Sequence, residues 1–485
     1  AREEQENRYL PHRIVVILLK FMKLTFWGAD KVVTGSMHHI ETGGKNYLLD
    51  CGLYQGRRQE AFTKNSQFPF PPSTIAAVLL SHAHIDHSGN LPGLVRNGFA
   101  GPIFSTPATV DLCAAMLADS AFLQEKDAEF VNRRREHRKA IGRDDRPVTP
   151  LYTREDAQRT FAQFHPVPLG ERKEIAPGLE YKTYDAGHML GSSSMIVEAD
   201  GVRLGFSGDV GRPGLPIIRD PQPLDPVDYL ILESTYGDRI HKPLAHAADT
   251  LADVVSRTAA RGGKIIVPAF AVGRTQQLVL MLHQLIDAKR LPNIPMYVDS
   301  PLAVNVTEVF RNHPECYDEE IRKFLTDGDD PFGFHRLTYI HDVAESKKLN
   351  ALRGPCVIIS ASGMCEGGRV LHHLRNNIED PRNTILITGF QAAYTLGRKI
   401  VEKQPEVPIF GEPMRLRAEV CSLDELSGHA DQKELIEWMR PIAKGLKKVF
   451  LVHGEEDQSA ALAQVIQKTY GIETIQATRG DTVNL

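Results

Sequence analysis

Ala76-Ala-Val-Leu-Leu-Ser-His-Ala-His-Ile-Asp-His87 is the stretch that decides the fold of this chain. An apolar run of strand length ends in four potential metal ligands, His82, His84, Asp86 and His87, within six residues. Alternation in extended backbone points His82 and His84 to the same side, while Asp86 and His87 project from the turn that follows, ahead of a helix expected near Gly89. Imidazole and carboxylate are donors that zinc accepts, and donors aimed at two neighbouring positions predict two adjacent metal ions. A single histidine needs no such explanation, but four donors at this density have no ready structural role.

Two ions require further donors. The sequence offers His188 in Ala186-Gly-His-Met-Leu-Gly-Ser192, Asp209 in Phe206-Ser-Gly-Asp-Val-Gly211 and His453 in Leu451-Val-His-Gly-Glu455, each directly after an apolar strand candidate. Taken singly, each is weak evidence, and His188 or His453 alone reads better as a satisfied structural histidine. Loops at the same ends of sheet strands converge in space, however, so all three can meet the first cluster at one rim, with Asp209 able to bridge through its two oxygens. Asp50, in Leu48-Leu-Asp-Cys-Gly52, is an aspartate that also suits capping a turn.

The chain of 485 residues, 42% apolar, is long enough for more than one core. Its 57 Lys and Arg against 61 Asp and Glu give a net charge of −4, which neither advertises nor excludes a polyanion-binding cleft. The six cysteines are scattered without a C-x-x-C pair, so a reduced, cytoplasmic protein is expected. Ile14 to Leu19 is apolar but is ended by Lys20, far short of the roughly 20 residues of a membrane span, and no membrane partner is expected. Residues 1–21 are expected to precede the folded domain.

Strand candidates populate the first part: Asn46 to Leu49, Ala76 to Leu80, Leu179 to Tyr184, Ser194 to Glu198, Arg203 to Ser207 and Tyr229 to Leu232. Helical pattern is read only after Ser88 and from Thr109 to Arg138, the latter ending in the charge run Arg133 to Lys139, which reads as a solvated face. Arg143 to Pro147 reads as a surface loop. Beyond Gly237 the rhythm becomes strand then helix: Lys264 to Phe270 with Arg274 to Lys289, Met296 to Asp299 with Leu302 to His313, Val357 to Ser360 with Arg369 to Ile378, and Thr384 to Thr388 with Leu396 to Glu402. Such alternation predicts a parallel sheet covered by helices. A strand at Ala418 to Leu423, a helix at Asp431 to Met439 and a strand at Lys448 to Val452 then resume. One α/β domain inserted in another is expected, divided as 22–236, 237–417 and 418–485.

Ser81 to His87 with Asp50, His188, Asp209 and His453 resembles the ligand pattern of the metallo-β-lactamase superfamily. The resemblance implies an αββα sandwich and two zinc ions, one held by His82, His84, His188 and Asp209, the other by Asp86, His87, Asp209 and His453. It also implies that Asp50 supports the ligands from behind. The 243 residues between Asp209 and His453 exceed what small-molecule members carry. They and their flanks contain Leu232-Glu-Ser-Thr-Tyr-Gly-Asp238, Val267-Pro-Ala-Phe-Ala-Val-Gly-Arg-Thr-Gln276, Ala361-Ser-Gly-Met-Cys-Glu-Gly-Gly-Arg369, Gly389-Phe-Gln-Ala-Ala-Tyr-Thr-Leu-Gly-Arg398 and Ser427-Gly-His-Ala-Asp431, which resemble the β-CASP nucleases. Glu233, His429 and His453 match that family's three additional motifs, and histidine in the third is similar to the RNA-processing branch. The likeness extends to bacterial and archaeal relatives of the endonuclease subunit of the cleavage and polyadenylation specificity factor, although no KH module is expected ahead of the nuclease.

The expected activity is therefore a zinc-dependent ribonuclease acting on single-stranded RNA, endonucleolytic, 5′-exonucleolytic or both, with a homodimer left open as the assembly. Two zinc ions roughly 3.5–4 Å apart would activate water and hold the scissile phosphate. His429, oriented by Glu233, resembles the family's general acid, and Asp50 and Asp86 complete the expected catalytic set. Glycine-rich turns before helices attract phosphate oxygens, so Ser362, Gly363, Arg369, Arg274 and Arg398 are expected RNA contacts. The segment Tyr236 to Ala418 has 23 basic against 21 acidic residues, so totals say nothing of a basic cleft. The rival readings are a small-molecule hydrolase of lactonase or thioesterase type and a non-catalytic subunit of an RNA-processing complex.

Overall fold

The computed structural model describes residues 22–56, 58–139, 147–389, 391–392 and 394–485. Residues 1–21 and the loop positions 143–146 lie outside the described residues.

Two seven-stranded sheets face each other. The first runs Thr482–Asn484, Lys23–Phe26, His38–Thr42, Lys45–Leu49, Ile75–Leu79, Ile103–Ser105 and Phe164–Pro166. Ile75–Leu79 is parallel to both neighbours and buried at all but one position, which explains an unbroken apolar run where a half-exposed strand would alternate. The second sheet runs Glu473–Gln476, Lys448–Val452, Tyr229–Glu233, Val202–Phe206, Ser193–Ala199, Leu179–Asp185 and Arg172–Ala176.

Between the sheets, Leu24, Phe26, Ile40, Leu49 and Leu79 of the first meet Met195, Val197, Leu204, Phe206, Ile231 and Phe450 of the second in one buried cluster. Helices cover the outer faces. Leu91–Arg96 and Pro107–Lys139 bury Leu91, Leu94, Leu112 and Leu117 over the first sheet. Gln432–Met439 and Glu456–Tyr470 bury Leu435, Met439, Leu462 and Ile466 with Leu230, Leu232, Val449 and Leu451 of the second. The arrangement is the expected αββα sandwich. Arg58–Ser66 and Arg154–Phe161 are helices that the apolar pattern does not reveal, and the helical turn carrying Asp86 and His87 begins at Ile85, ahead of the start expected near Gly89.

The chain leaves this sandwich after Glu233 and returns with helix Gln432–Met439, yet Tyr229–Glu233 and Lys448–Val452 are parallel neighbours with Glu233 opposite Val452. The intervening residues build a six-stranded parallel sheet: Leu337–Tyr339, Met296–Val298, Val357–Ser360, Ile265–Pro268, Thr384–Ile387 and Glu419–Ser422. The expected alternation is present, with helices Arg274–Asp287, Pro301–Asn312, Val370–Asn377 and Leu396–Val401 between strands. One boundary moves. Glu419–Ser422, expected to open the returning part of the outer domain at residue 418, bonds to the free edge of Thr384–Ile387 and completes the inserted sheet. Its carboxyl end then carries the chain straight to His429.

The two domains also touch through helix Pro107–Lys139, which packs on helix Pro301–Asn312. At that junction His313 is 2.8 Å from Asp111 Oδ2 and 2.7 Å from Glu315 Oε1. No helix among the described residues is long and apolar enough to cross a membrane.

Candidate metal centre and proton-donor pair

Strand ends position most of the donors, and the helical turn Ile85–Ser88 carries Asp86 and His87. His82 and His84 follow Ile75–Leu79, His188 follows Leu179–Asp185, Asp209 follows Val202–Phe206, Glu233 ends Tyr229–Glu233, and His453 follows Lys448–Val452. Donor atoms of His82, His84, His188 and Asp209 lie within 4.8 Å of one another, and those of Asp86, His87 and His453 form a second such group. Asp209 stands between the groups. Its Oδ2 is 3.4 Å from His82 Nε2 and 3.3 Å from His87 Nε2, and its Oδ1 is 3.6 Å from His453 Nδ1. All seven expected ligands are thus brought together.

Hydrogen bonds behind the ligands decide which ring nitrogen faces inward. Asp50, fully buried, accepts from the Ser81 amide at 2.8 Å, from Ser81 Oγ at 2.9 Å and from Ser36 Oγ at 3.2 Å. It also takes the Nδ1 proton of His87 at 2.6 Å. With its proton given to Asp50, Ser81 Oγ is left to accept from His82 Nδ1 at 3.0 Å. His188 donates through Nδ1 to the Gly428 carbonyl at 2.8 Å. His453 Nδ1 lies 3.1 Å from Thr235 Oγ1, whose own proton goes to Glu233 Oε2 at 2.5 Å. These bonds leave the Nε2 lone pairs of His82, His87, His188 and His453 directed at the centre. Asp50 therefore acts by orienting His87 and Ser81, which corrects its expected place among the catalytic groups. Asp50 and His453 are held at φ +60° and +51°, a cost that surrounding bonds impose at such sites.

The residues fit a metal. His84 Nδ1 and His188 Nε2 approach to 3.0 Å, and His87 Nε2 and His453 Nε2 to 3.1 Å. Ring nitrogens this close are held together either by a shared proton or by a cation lying among them. Both Asp209 oxygens and His82 Nε2 are buried with no hydrogen-bond partner among the described residues, an arrangement that coordination would satisfy. Burial holds His82 and His188 well below the ordinary histidine value and lowers His84 to about 4, so the neutral, ligating form prevails. Asp209 is held well below the usual carboxylate range, since His453, His87 and His429 outweigh its burial.

Beside this centre, His429 Nδ1 is 3.1 Å from Glu233 Oε2 and 4.0 Å from Asp209 Oδ2. Glu233 is fully buried and also accepts the Val210 amide at 2.5 Å. Burial alone would lower His429, but the Glu233 and Asp209 carboxylates outweigh it and raise it to about 9. With a fifth of its side chain exposed, His429 is a cationic donor open to a bound molecule.

Of the expected RNA contacts, Arg369 is engaged elsewhere. Its Nη1 is 2.6 Å from the buried Asp299 Oδ1, and its guanidinium also donates to the carbonyls of Ile340 and His341. It closes the 361–369 loop, which corrects the expectation that it meets phosphate. Ser362 Oγ accepts the Glu366 and Gly367 amides inside the same loop. Gly363 lies against Phe270, and Arg398 pairs with Glu402 along its own exposed helix face at 2.7 Å. Arg274 differs. It is buried, bonds to Gln277 through Nη1, has an unpartnered Nε, and has no carboxylate partner among the described residues. Burial lowers it to about 10, with Tyr236 opposing, and the Tyr236 ring is 6.1 Å from that of His429.

Several supporting residues escape sequence reading. His241 Nε2 donates to the His429 carbonyl at 3.2 Å, and Arg212 ties Glu434 at 3.1 Å and the Glu425 carbonyl at 2.6 Å, bracketing the segment that carries His429. The hydroxyl partners of Ser36, Ser81 and Thr235 are equally hidden, since a hydroxyl announces no partner until the chain is folded.

Residues 31–246 match the metallo-beta-lactamase superfamily, residues 275–400 the Beta-Casp domain and residues 413–476 the Zn-dependent metallo-hydrolase RNA specificity domain. Ribonuclease TTHA0252 of Thermus thermophilus is 34% identical over 464 residues, covering 96% of this chain and 98% of that protein. The chain belongs to the β-CASP family of the metallo-β-lactamase superfamily. This β-CASP protein is also 32% identical over 464 residues to an RNase J-like protein of Methanocaldococcus jannaschii, covering 94% of this chain and 98% of the other. Transcription termination factor FttA of Methanosarcina mazei is 31% identical over 488 residues, covering 98% and 73%. A solved structure of a protein of unknown function from Enterococcus faecalis shares the fold of this β-CASP protein, with a TM-score of 0.55 at 11% identity over 96% of this chain and all of that one.

Proposed function

We propose that this protein is a two-zinc ribonuclease that hydrolyses phosphodiester bonds of single-stranded RNA. The observation that carries the reading is the placement of the His429–Glu233 pair, 3.1 Å apart, beside an Asp209 carboxylate that lies 3.4 Å from His82 of one donor group and 3.3 Å from His87 of the other. His82, His84, His188 and Asp209 would hold one ion, and Asp86, His87, His453 and Asp209 the other. When bound, such ions supply Lewis acidity toward a phosphoryl oxygen and a water of lowered pKa.

The protein's own groups do the rest. Glu233 keeps His429 protonated and fixes its ring through Nδ1, leaving the Nε2 proton for the departing ribose oxygen. Arg274, buried with no carboxylate partner among the described residues, suits a phosphate of the bound strand. The names of its ribonuclease relatives support RNA as substrate, and the large inserted domain supports a polymeric substrate over a small one. All six cysteines are unpaired and five are buried, in keeping with a reducing, cytoplasmic setting.

The test is incubation of zinc-loaded protein with 5′-labelled and internally labelled single-stranded RNA and matching DNA, with His84→Ala as control. RNA cleavage abolished in the control is expected, and the products show whether cutting is internal or from the 5′ end. Intact RNA with both ions bound would move the assignment to a small-molecule hydrolase or a non-catalytic subunit.

A further inference from the structure

Val357–Ser360, Ile265–Pro268 and Thr384–Ile387 are the central neighbours of the inserted parallel sheet, and ligands of such sheets bind outside the carboxyl ends of their strands. The next strand in that order, Glu419–Ser422, runs parallel to them and leads from its carboxyl end to His429. Arg274, just past the carboxyl end of Ile265–Pro268, interacts with Tyr236, whose ring is 6.1 Å from that of His429, so this edge of the sheet lies on the side of the metal centre. At its middle lies Phe270, an aromatic ring left 38% exposed.

The ring is held in place. Ala269 donates its amide to the Ser360 carbonyl at 3.1 Å, and the Phe270 carbonyl accepts from Thr275 N at 3.3 Å and Thr275 Oγ1 at 2.8 Å. Gly363 backs it so closely that a Cβ there would fall 2.9 Å from the Phe270 Cδ2 and 3.0 Å from its backbone nitrogen, and a Cβ at Gly389 would fall 3.8 Å from Cε2. The buried Gln391 amide donates to the carbonyls of both glycines, each at 3.1 Å, which locks the two backing loops together. The result is an aromatic ring on a floor of backbone, with part of its surface in solvent and Arg274 four residues further along, at the start of the next helix.

We infer that Phe270 is a stacking platform for one nucleobase of the RNA strand entering the metal centre, with Gly363 and Gly389 kept bare so that the ring stays flat and accessible. Every base has a π-face, so the contact holds the strand in register without selecting its sequence. The inference rests on the ribonuclease reading and names a subsite within it.

The experiment is steady-state cleavage by the zinc-loaded full chain of a labelled oligoribonucleotide carrying one abasic residue, moved position by position relative to the cut. With wild-type protein, one position is expected to raise KM about ten-fold with kcat nearly unchanged. Phe270→Leu, which keeps apolar bulk without the π-face, is expected to show that higher KM on intact RNA and to lose the abasic penalty, while Phe270→Trp retains both low KM and penalty. An abasic scan of the wild type that is flat at every position overturns the inference without requiring any variant to fold. So does Phe270→Leu with wild-type KM, or with the penalty unchanged. Failure of the wild type to cut any RNA overturns the ribonuclease reading and the platform together, whereas normal cleavage indifferent to Phe270 overturns the platform alone.

Discussion

His87 and Asp50 lie 37 residues apart in the chain and 2.6 Å apart in the fold, Nδ1 to Oδ2. That bond fixes the tautomer and ring plane of His87, and removing such a partner typically costs 10–100-fold in metal affinity. Asp50→Ala is accordingly expected to lower zinc affinity by about that factor, read by competition with a chromophoric chelator. Unchanged affinity in a folded variant would contradict the orienting role.

His429→Ala should leave two zinc ions per chain while cutting kcat by about 10²- to 10⁴-fold, the range for loss of a general acid. Metal analysis and turnover on the same preparation decide it. Loss of zinc would make His429 part of the metal scaffold and remove it as proton donor.

Chelation should destabilise the protein. Unpartnered Asp209 oxygens and opposed histidine nitrogens are satisfied by bound cations, and at free metal one hundred times Kd a single site stabilises the native state by about 2.7 kcal/mol. Thermal unfolding with excess chelator should fall below that of the zinc-loaded protein and recover when zinc is restored. Identical melting curves would count against these residues as a metal centre.

Asp299 holds Arg369 at 2.6 Å, His373 at 2.6 Å and Ser346 at 2.6 Å from full burial. Asp299→Ala should cost about 3–5 kcal/mol, the penalty for stranding a buried charge, measured by urea unfolding. Arg369→Lys should lose stability through the broken fork of bonds more than RNA affinity. A pure loss of RNA affinity would restore Arg369 as a phosphate contact.

His313 joins the domains and is raised above the ordinary histidine value, because Glu315 and Asp111 outweigh the opposing effect of burial. A group raised on folding contributes stability that is fully present below its unfolded value of about 6.5 and disappears as pH climbs through the folded one. The stability difference between wild type and His313→Gln should therefore be largest below pH 6 and shrink at alkaline pH. A difference independent of pH would show that the ion pairs contribute nothing.

The donor cluster at His82 to His87, the candidates His188, Asp209 and His453, and the inserted α/β domain are legible in the chain itself, because each is a local signal. Donor types lie at fixed spacing after apolar strands, and strand–helix alternation repeats along the chain. The capping box of Thr153 and Asp156 before helix Arg154–Phe161 was also present in the text of the sequence, masked by a helix too polar to show an apolar stripe. Long-range folding settled which nitrogen of His82, His87, His188 and His453 faces the centre, that Glu419–Ser422 completes the inserted sheet, and that Arg369 answers to Asp299 while Arg274 has no carboxylate partner among the described residues. Those outcomes depend on partners brought together by parallel pairing and buried packing across tens to hundreds of residues, and nothing in the spacing of a single chain says which arginine a distant carboxylate will reach first.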